Sequence, residues 1–297
     1  MRAALLFAFA LVAGPAPGRD AGTPDVQIDG TVEEVAPGII SSQYSDVRLT
    51  ISPDGRTALW FSRNRPGGPG GYDIWISRRG VGWSLPVPVP FDSVSRDFDP
   101  AFSRDGRFVY FASDRPGGAG GDDLYRVPVT PSGFGAVEPL GGVNTPRNEW
   151  APMLAPDGRT LLFASDGHGG AGRMDLFTAR RAGRSFRDVR ALPGRLNTPA
   201  DEFDATFLAD GRTIIFSRSR DVNAEDVHLF LSSLVRGEYT PGNELFDAIN
   251  TPGSSTYAPM LDWSDTDRVT FTTRRPADNP RGADLYRANV RVRERGR

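Results

Sequence analysis

One short phrase recurs along the chain at a nearly fixed interval. It reads SPDGR at Ser52 to Arg56, SRDGR at Ser103 to Arg107, APDGR at Ala155 to Arg159 and LADGR at Leu208 to Arg212, with a worn fifth copy at Ser264 to Arg268. Steps of 51, 52 and 53 residues separate Gly55, Gly106, Gly158 and Gly211. A period of about 52 residues restricts the fold to a propeller, a solenoid or an array, because each unit is too small to bury its own apolar face.

The rest of each copy follows one grammar. After the Asp-Gly turn comes an apolar run ending at Phe61, Phe111, Phe163, Phe216 or Phe271, then a polar glycine-rich loop. An aspartate with an apolar pair follows, read at Asp73, Asp123, Asp175, Asp226 and Asp284. Nine residues before the first four turn glycines stand Asp46, Asp97, Glu149 and Glu202, and the next position is mostly aromatic: Phe98, Trp150, Phe203 and, in the fifth copy, Tyr257. Runs of four to six residues rich in Val, Ile, Phe, Tyr and Trp between Asp-Gly and Gly-Gly punctuation are strand and hairpin signals. No sustained 3.6-residue apolar period competes with them.

Four strands per unit, repeated radially, predict an all-β, five-bladed β-propeller of four-stranded antiparallel blades. The last copy has no outer strand after Asp284-Leu285-Tyr286, whereas Val26 to Ile40 precedes the first copy and reads as one. An N-terminal strand completing the last blade closes the ring and removes exposed sheet edges. A six-bladed ring is the alternative, with only terminal segments to build the extra blade. The 34 glycines and 25 prolines then supply turns for one domain spanning 19–297.

The repeats resemble a known family. FSRNRPGGPGGYDIW at Phe61 to Trp75, FASDRPGGAGGDDLY at Phe111 to Tyr125 and the SPDGR-type turns are similar to the TolB-type, WD-like propeller repeats of bacterial envelope proteins. The resemblance implies a periplasmic or secreted location and a binding or scaffolding role, with an envelope protein, a peptide or a glycan as partner. It leaves oligomeric state open. Residues 1–18 agree with export: Arg2, an apolar run from Ala3 to Ala13, then small residues and prolines form a secretory signal pattern with cleavage after Gly18. That run is too short to span a bilayer.

Composition excludes several chemistries. Without cysteine there is no disulfide framework, thiolate metal site or cysteine nucleophile. All 35 basic residues are arginine, which removes Schiff-base chemistry and the Walker lysine. A net charge of -2 favours neither nucleic acid nor an anionic membrane surface. No GxSxG or HExxH is present, and no cofactor is expected. The loop Gly117 to Asp122 matches a GGxGxD calcium pattern but lacks the tandem spacing that lets turns share an ion, so calcium remains only a secondary expectation.

The repeated acids and the glycine-rich loops should emerge on one face. The candidate ligand-binding set on it is Asp46, Asp97, Glu149 and Glu202 with Arg65, Arg115, Arg220 and Arg275. Asp99, His168, Arg218 and Arg274, which break the pattern, complete the set. A competing expectation is that each arginine bridges an acid between blades. A glycoside hydrolase using two carboxylates on this face is the alternative to a non-catalytic binder.

Overall fold

The computed structural model describes residues 24–222, 226–274 and 282–293. The leader 1–18 and Arg275 lie outside the described residues. The structure is all-β: five small antiparallel sheets form a five-bladed propeller with four-stranded blades, and the described residues contain no helix. No helix among them is therefore long and apolar enough to cross a membrane.

The first blade comprises Ser45–Ile51, Thr57–Arg63, Tyr72–Arg78 and Val87–Pro88, from axis to rim. The second comprises Asp97–Phe102, Phe108–Ser113, Asp123–Thr130 and Glu138–Pro139, with Gly133–Phe134 as an additional pairing. Glu149–Leu154, Thr160–Ser165, Asp175–Ala182 and Ser185–Ala191 build the third. The fourth has Asp201–Phe207, Thr213–Ser219 and His228–Val235, with Glu238–Tyr239 and Asn243–Glu244 outside them.

The fifth blade joins the two ends of the chain. Ser255–Leu261, Arg268–Arg274 and Asp284–Arg293 are completed by Asp25–Glu34, which runs antiparallel to the last strand with Asp25 opposite Arg293 and Glu34 opposite Tyr286. Val26, Ile28 and Val32 pack against the main core, so the closing strand adds apolar contact as well as a hydrogen-bond ladder.

The tight hairpins follow from the repeated phrase. At the first turn Asp54 Oδ1 accepts from the Arg56 amide at 3.0 Å, and Gly55 takes φ +70°. Asp105, Asp157 and Asp210 repeat the Asp bond, each accepting the amide two residues on.

Hydrogen bonds tie every blade to the next near the axis. Phe102 N donates to Thr50 Oγ1 (3.2 Å), Ala151 N to Asp99 Oδ2 (3.1 Å), Phe207 N to Met153 Sδ (3.2 Å), Leu261 N to Thr206 Oγ1 (3.0 Å) and Arg48 N to Thr272 Oγ1 (3.1 Å). Two further bonds join non-adjacent blades and must cross the axis: Arg48 Nη2 to the Ala151 carbonyl (3.2 Å) and Trp263 Nε1 to the Phe102 carbonyl (2.9 Å).

Candidate functional site

The four repeated acids are fully buried at the start of their innermost strands. Each gathers the connection that enters its blade: Ser42 N and Oγ donate to Asp46, Ser93 N and Oγ to Asp97, Thr145 N and Oγ1 to Glu149, and Thr198 N and Oγ1 to Glu202. The arginines complete these latches. Arg115 Nη2 lies 2.5 Å from Asp97, Arg218 Nε 2.6 Å from Glu202, and Arg65 Nη1 3.5 Å from Asp46. Each pair lies within one blade, which corrects the expectation of bridges between blades. The loop after the second strand folds back over the first strand of the same sheet, placing the two charges together.

The fourth blade also corrects the sequence register. Arg218 belongs to the second strand and forms the latch, whereas Arg220 is exposed, 3.6 Å from Asp226. The offset continues beyond the loop: Phe216 pairs with Phe230, and His228 rather than Asp226 opens the third strand. In the third blade His168 replaces the arginine. Its Nε2 contacts the Val143 carbonyl at 2.7 Å, as Arg115 Nη2 contacts the Phe91 carbonyl and Arg218 Nη2 the Leu196 carbonyl. His168 also sits against Phe163 and Phe177, as Arg115 sits over Phe111 and Tyr125. These features place His168 in the architecture of its blade.

A second repeated contact secures the same connections. Asn144, Asn197 and Asn250 each accept the amide and donate to the carbonyl of Leu124, Leu176 and Leu229 respectively. The second blade has Asp92 at this place, beside Ile74. Burial, reinforced by the charge of Asp97, pushes its carboxyl up to about 9.

The axial site arises from a feature repeated in all five blades. Every innermost strand has a bulge, with register shifts after Val47, Phe98, Trp150, Phe203 and Tyr257. The next residue takes left-handed φ: Arg48 (54°), Asp99 (54°), Ala151 (52°), Asp204 (46°) and Ala258 (53°). A bulge re-aims side chains, and here it brings charged positions of three blades to one centre.

Above this ring lies a funnel of about 450 Å³. Phe98, Trp150, Phe203, Tyr257 and Tyr72 contribute its aromatic wall, and Asp99 and Asp204 also line it. Trp150 is fixed by Nε1 donating to Asp122 at 2.8 Å, and its ring meets Phe98 edge-on with centroids 6.5 Å apart. This contact between neighbouring blades also shapes the cavity. Arg63, Arg96 and Arg274 add cationic groups. Arg96 is engaged by Asp114 and Asp122, whereas exposed Arg63 makes no ion pair among the described residues and lies over Tyr72, 5.0 Å from the ring centroid.

Asp204 is 8% exposed and has no hydrogen-bond partner among the described residues. Asp99 is 4% exposed and accepts the Ala151 amide. Burial raises both carboxyls above their ordinary range; for Asp99 the charge of Asp204 adds to the rise, while Arg48 opposes it for both. Arg48 is fully buried with Nε and Nη1 unpartnered, and no ion pair within 4 Å joins it to either acid. The axial cluster thus presents proton-bearing and proton-accepting groups in a low-dielectric setting.

Of the residues singled out by sequence, the structure places Asp99 and Arg274 at the funnel and the four acids, Arg65, Arg115, Arg218 and His168 around the blade connections. Arg48, Arg63 and Asp204 escaped the sequence reading. The signal was the position two residues after each acid, where Arg48, Asp99 and Asp204 break a repeat otherwise filled by Ala151 and Ala258. In the GGxGxD loop, Asp122 is held by Arg96 and Trp150, and Asp123 accepts the Ala119 and Gly120 amides. Among the described residues no group of three or more His, Asp or Glu has an arrangement suited to a metal ion.

No protein-family model matches the chain, and no curated protein matches it in sequence. Solved structures are similar to it. TolB from Acinetobacter baumannii is 16% identical over 85% of this chain and 57% of its own, with a TM-score of 0.49. Hydrazine synthase from Kuenenia stuttgartiensis is 15% identical over 77% of this chain and 36% of its own, with a TM-score of 0.52. An alpha-L-arabinofuranosidase from Lactobacillus brevis is 13% identical over 87% and 92%, with a TM-score of 0.52. The chain spans less than two thirds of the first two proteins. At these identities a likeness shows fold alone, and one fold serves unrelated functions.

Proposed function

We propose that this protein is an exported, non-catalytic propeller of the bacterial cell envelope that binds a peptide or glycan in its axial funnel. Asp204 carries the reading: a nearly buried carboxylate, lining a cavity and lacking a partner, is costly unless solvent or a ligand supplies donors. The aromatic wall offers apolar faces to the remainder of such a ligand. Export rests on the leader pattern of residues 1–18, and the envelope setting on the resemblance of the repeats.

A specific observation favours a second reading. Asp99 and Asp204 are two carboxyls lining one cavity, both with proton affinity raised by burial, and glycoside hydrolysis uses a pair of carboxyls facing one cleft. One experiment separates the two. The chain from residue 19 onward is titrated calorimetrically with a glycan and peptide panel beside Asp204→Asn, and each ligand is assayed for cleavage afterwards. We expect binding that the variant weakens at least about ten-fold, with the ligand recovered intact. Cleavage by the parent chain but not the variant would establish the hydrolase, and binding unaffected by Asp204→Asn would remove the funnel from either reading.

A further inference from the structure

The funnel has an ordered polarity from its floor to its rim, and that order selects among ligand classes. Among the lining residues Asp204 offers acceptor oxygens without a partner and Asp99 can hold a proton to donate, while the buried Arg48 charge lies behind both. A hydroxyl both donates and accepts, so adjacent hydroxyls fit a mixed set of this kind. An ammonium only donates, and would leave a proton held on Asp99 without an acceptor.

The backbone argues in the same direction. An extended peptide is held mainly by rows of free amides and carbonyls. At the axis the amides of Arg48, Ala151 and Ala258 are already used by Thr272, Asp99 and Ser217. The wall is instead made of rings: Phe98, Trp150, Phe203 and Tyr257 from four successive blades, with Tyr72 beside them. Such surfaces suit a ligand whose hydroxyl edge alternates with an apolar C–H face. Arg63 then adds a cation held over Tyr72, in no ion pair within 4 Å among the described residues and acting on Asp99 and Asp204 only at longer range.

We propose that the funnel binds an acidic saccharide, with its hydroxyls at Asp99 and Asp204, a ring face against the Trp150 and Phe98 wall, and its carboxylate at Arg63. This rests on the funnel being the binding site and names the chemistry that fills it. A cavity of about 450 Å³ lies within the roughly 300–1,000 Å³ typical of small-ligand sites.

The test uses the chain from residue 19 onward and four probes in calorimetry: an oligoglucuronate, its methyl ester, a neutral glucose oligomer of equal length, and an acidic peptide. The oligoglucuronate should bind, with the ester and neutral oligomer at least about ten-fold weaker. Arg63→Ala should remove that difference, lowering the oligoglucuronate to the level of the neutral oligomer, and Asp204→Asn should weaken all saccharides. Equal binding of charged and neutral sugars, still lost in Asp204→Asn, would overturn the acidic class while preserving the funnel. Preference for the peptide would overturn the saccharide. Saccharide binding indifferent to both variants would overturn the funnel as the site.

Discussion

At Asp92 a single side-chain group distinguishes the second blade from the third, fourth and fifth. Asn144, Asn197 and Asn250 accept one backbone hydrogen bond and donate another, and an aspartate can reproduce that pair only while protonated. Its raised proton affinity has this consequence for stability. The unfolded chain releases the proton near pH 4, whereas the folded chain holds it to about 9, so stability falls as pH rises through that window. Asp92→Asn should therefore stabilise the fold by about 1–3 kcal/mol at pH 8, with the advantage vanishing below about pH 4. Denaturant midpoints of both proteins across that range check it; parallel curves would show that Asp92 titrates alike in both states. The sequence displays the Asn-to-Asp exchange, but its meaning depends on Ile74, which is distant in the chain and adjacent only once the blade forms.

The elements show why some site assignments were legible and others were not. Turn chemistry depends on neighbours in sequence, so the Asp-Gly phrases located the hairpins directly. The latch depends on pairing register, and the fourth blade shifts its arginine from Arg220 to Arg218 without disturbing the flanking phrases. Arg218→Ala leaves Glu202 buried without its cation and should cost ~3 kcal/mol. Arg220→Ala, at an exposed and loosely paired side chain, should change stability by less than about 0.5 kcal/mol. Chemical denaturation of the two variants tests the assignment, and equal losses would reverse it. The axial acids were harder to read because regular strand alternation places residues two apart on one face. The bulge breaks that rule, turning Asp99 and Asp204 toward the funnel while Asp97 and Glu202 remain in the latches.

Ring closure is a property of the whole molecule, and the repeats made it legible: the segment before the first copy reads as an outer strand, and it pairs with the last strand of the fifth blade. Deleting 24–34 would bare the edge of Asp284–Arg293 and remove the Val26, Ile28 and Val32 contacts. The variant should lose its single sharp melting transition and self-associate through the exposed edge, as read by calorimetry and size-exclusion chromatography. An unchanged melt would show that the ring stands without its clasp. The two cross-axis bonds, from Arg48 to Ala151 and from Trp263 to Phe102, carry a different consequence. They span the bore at two places, so a molecule passing from the funnel through the ring would have to part them, and passage is tied to the bonds that hold the blades together.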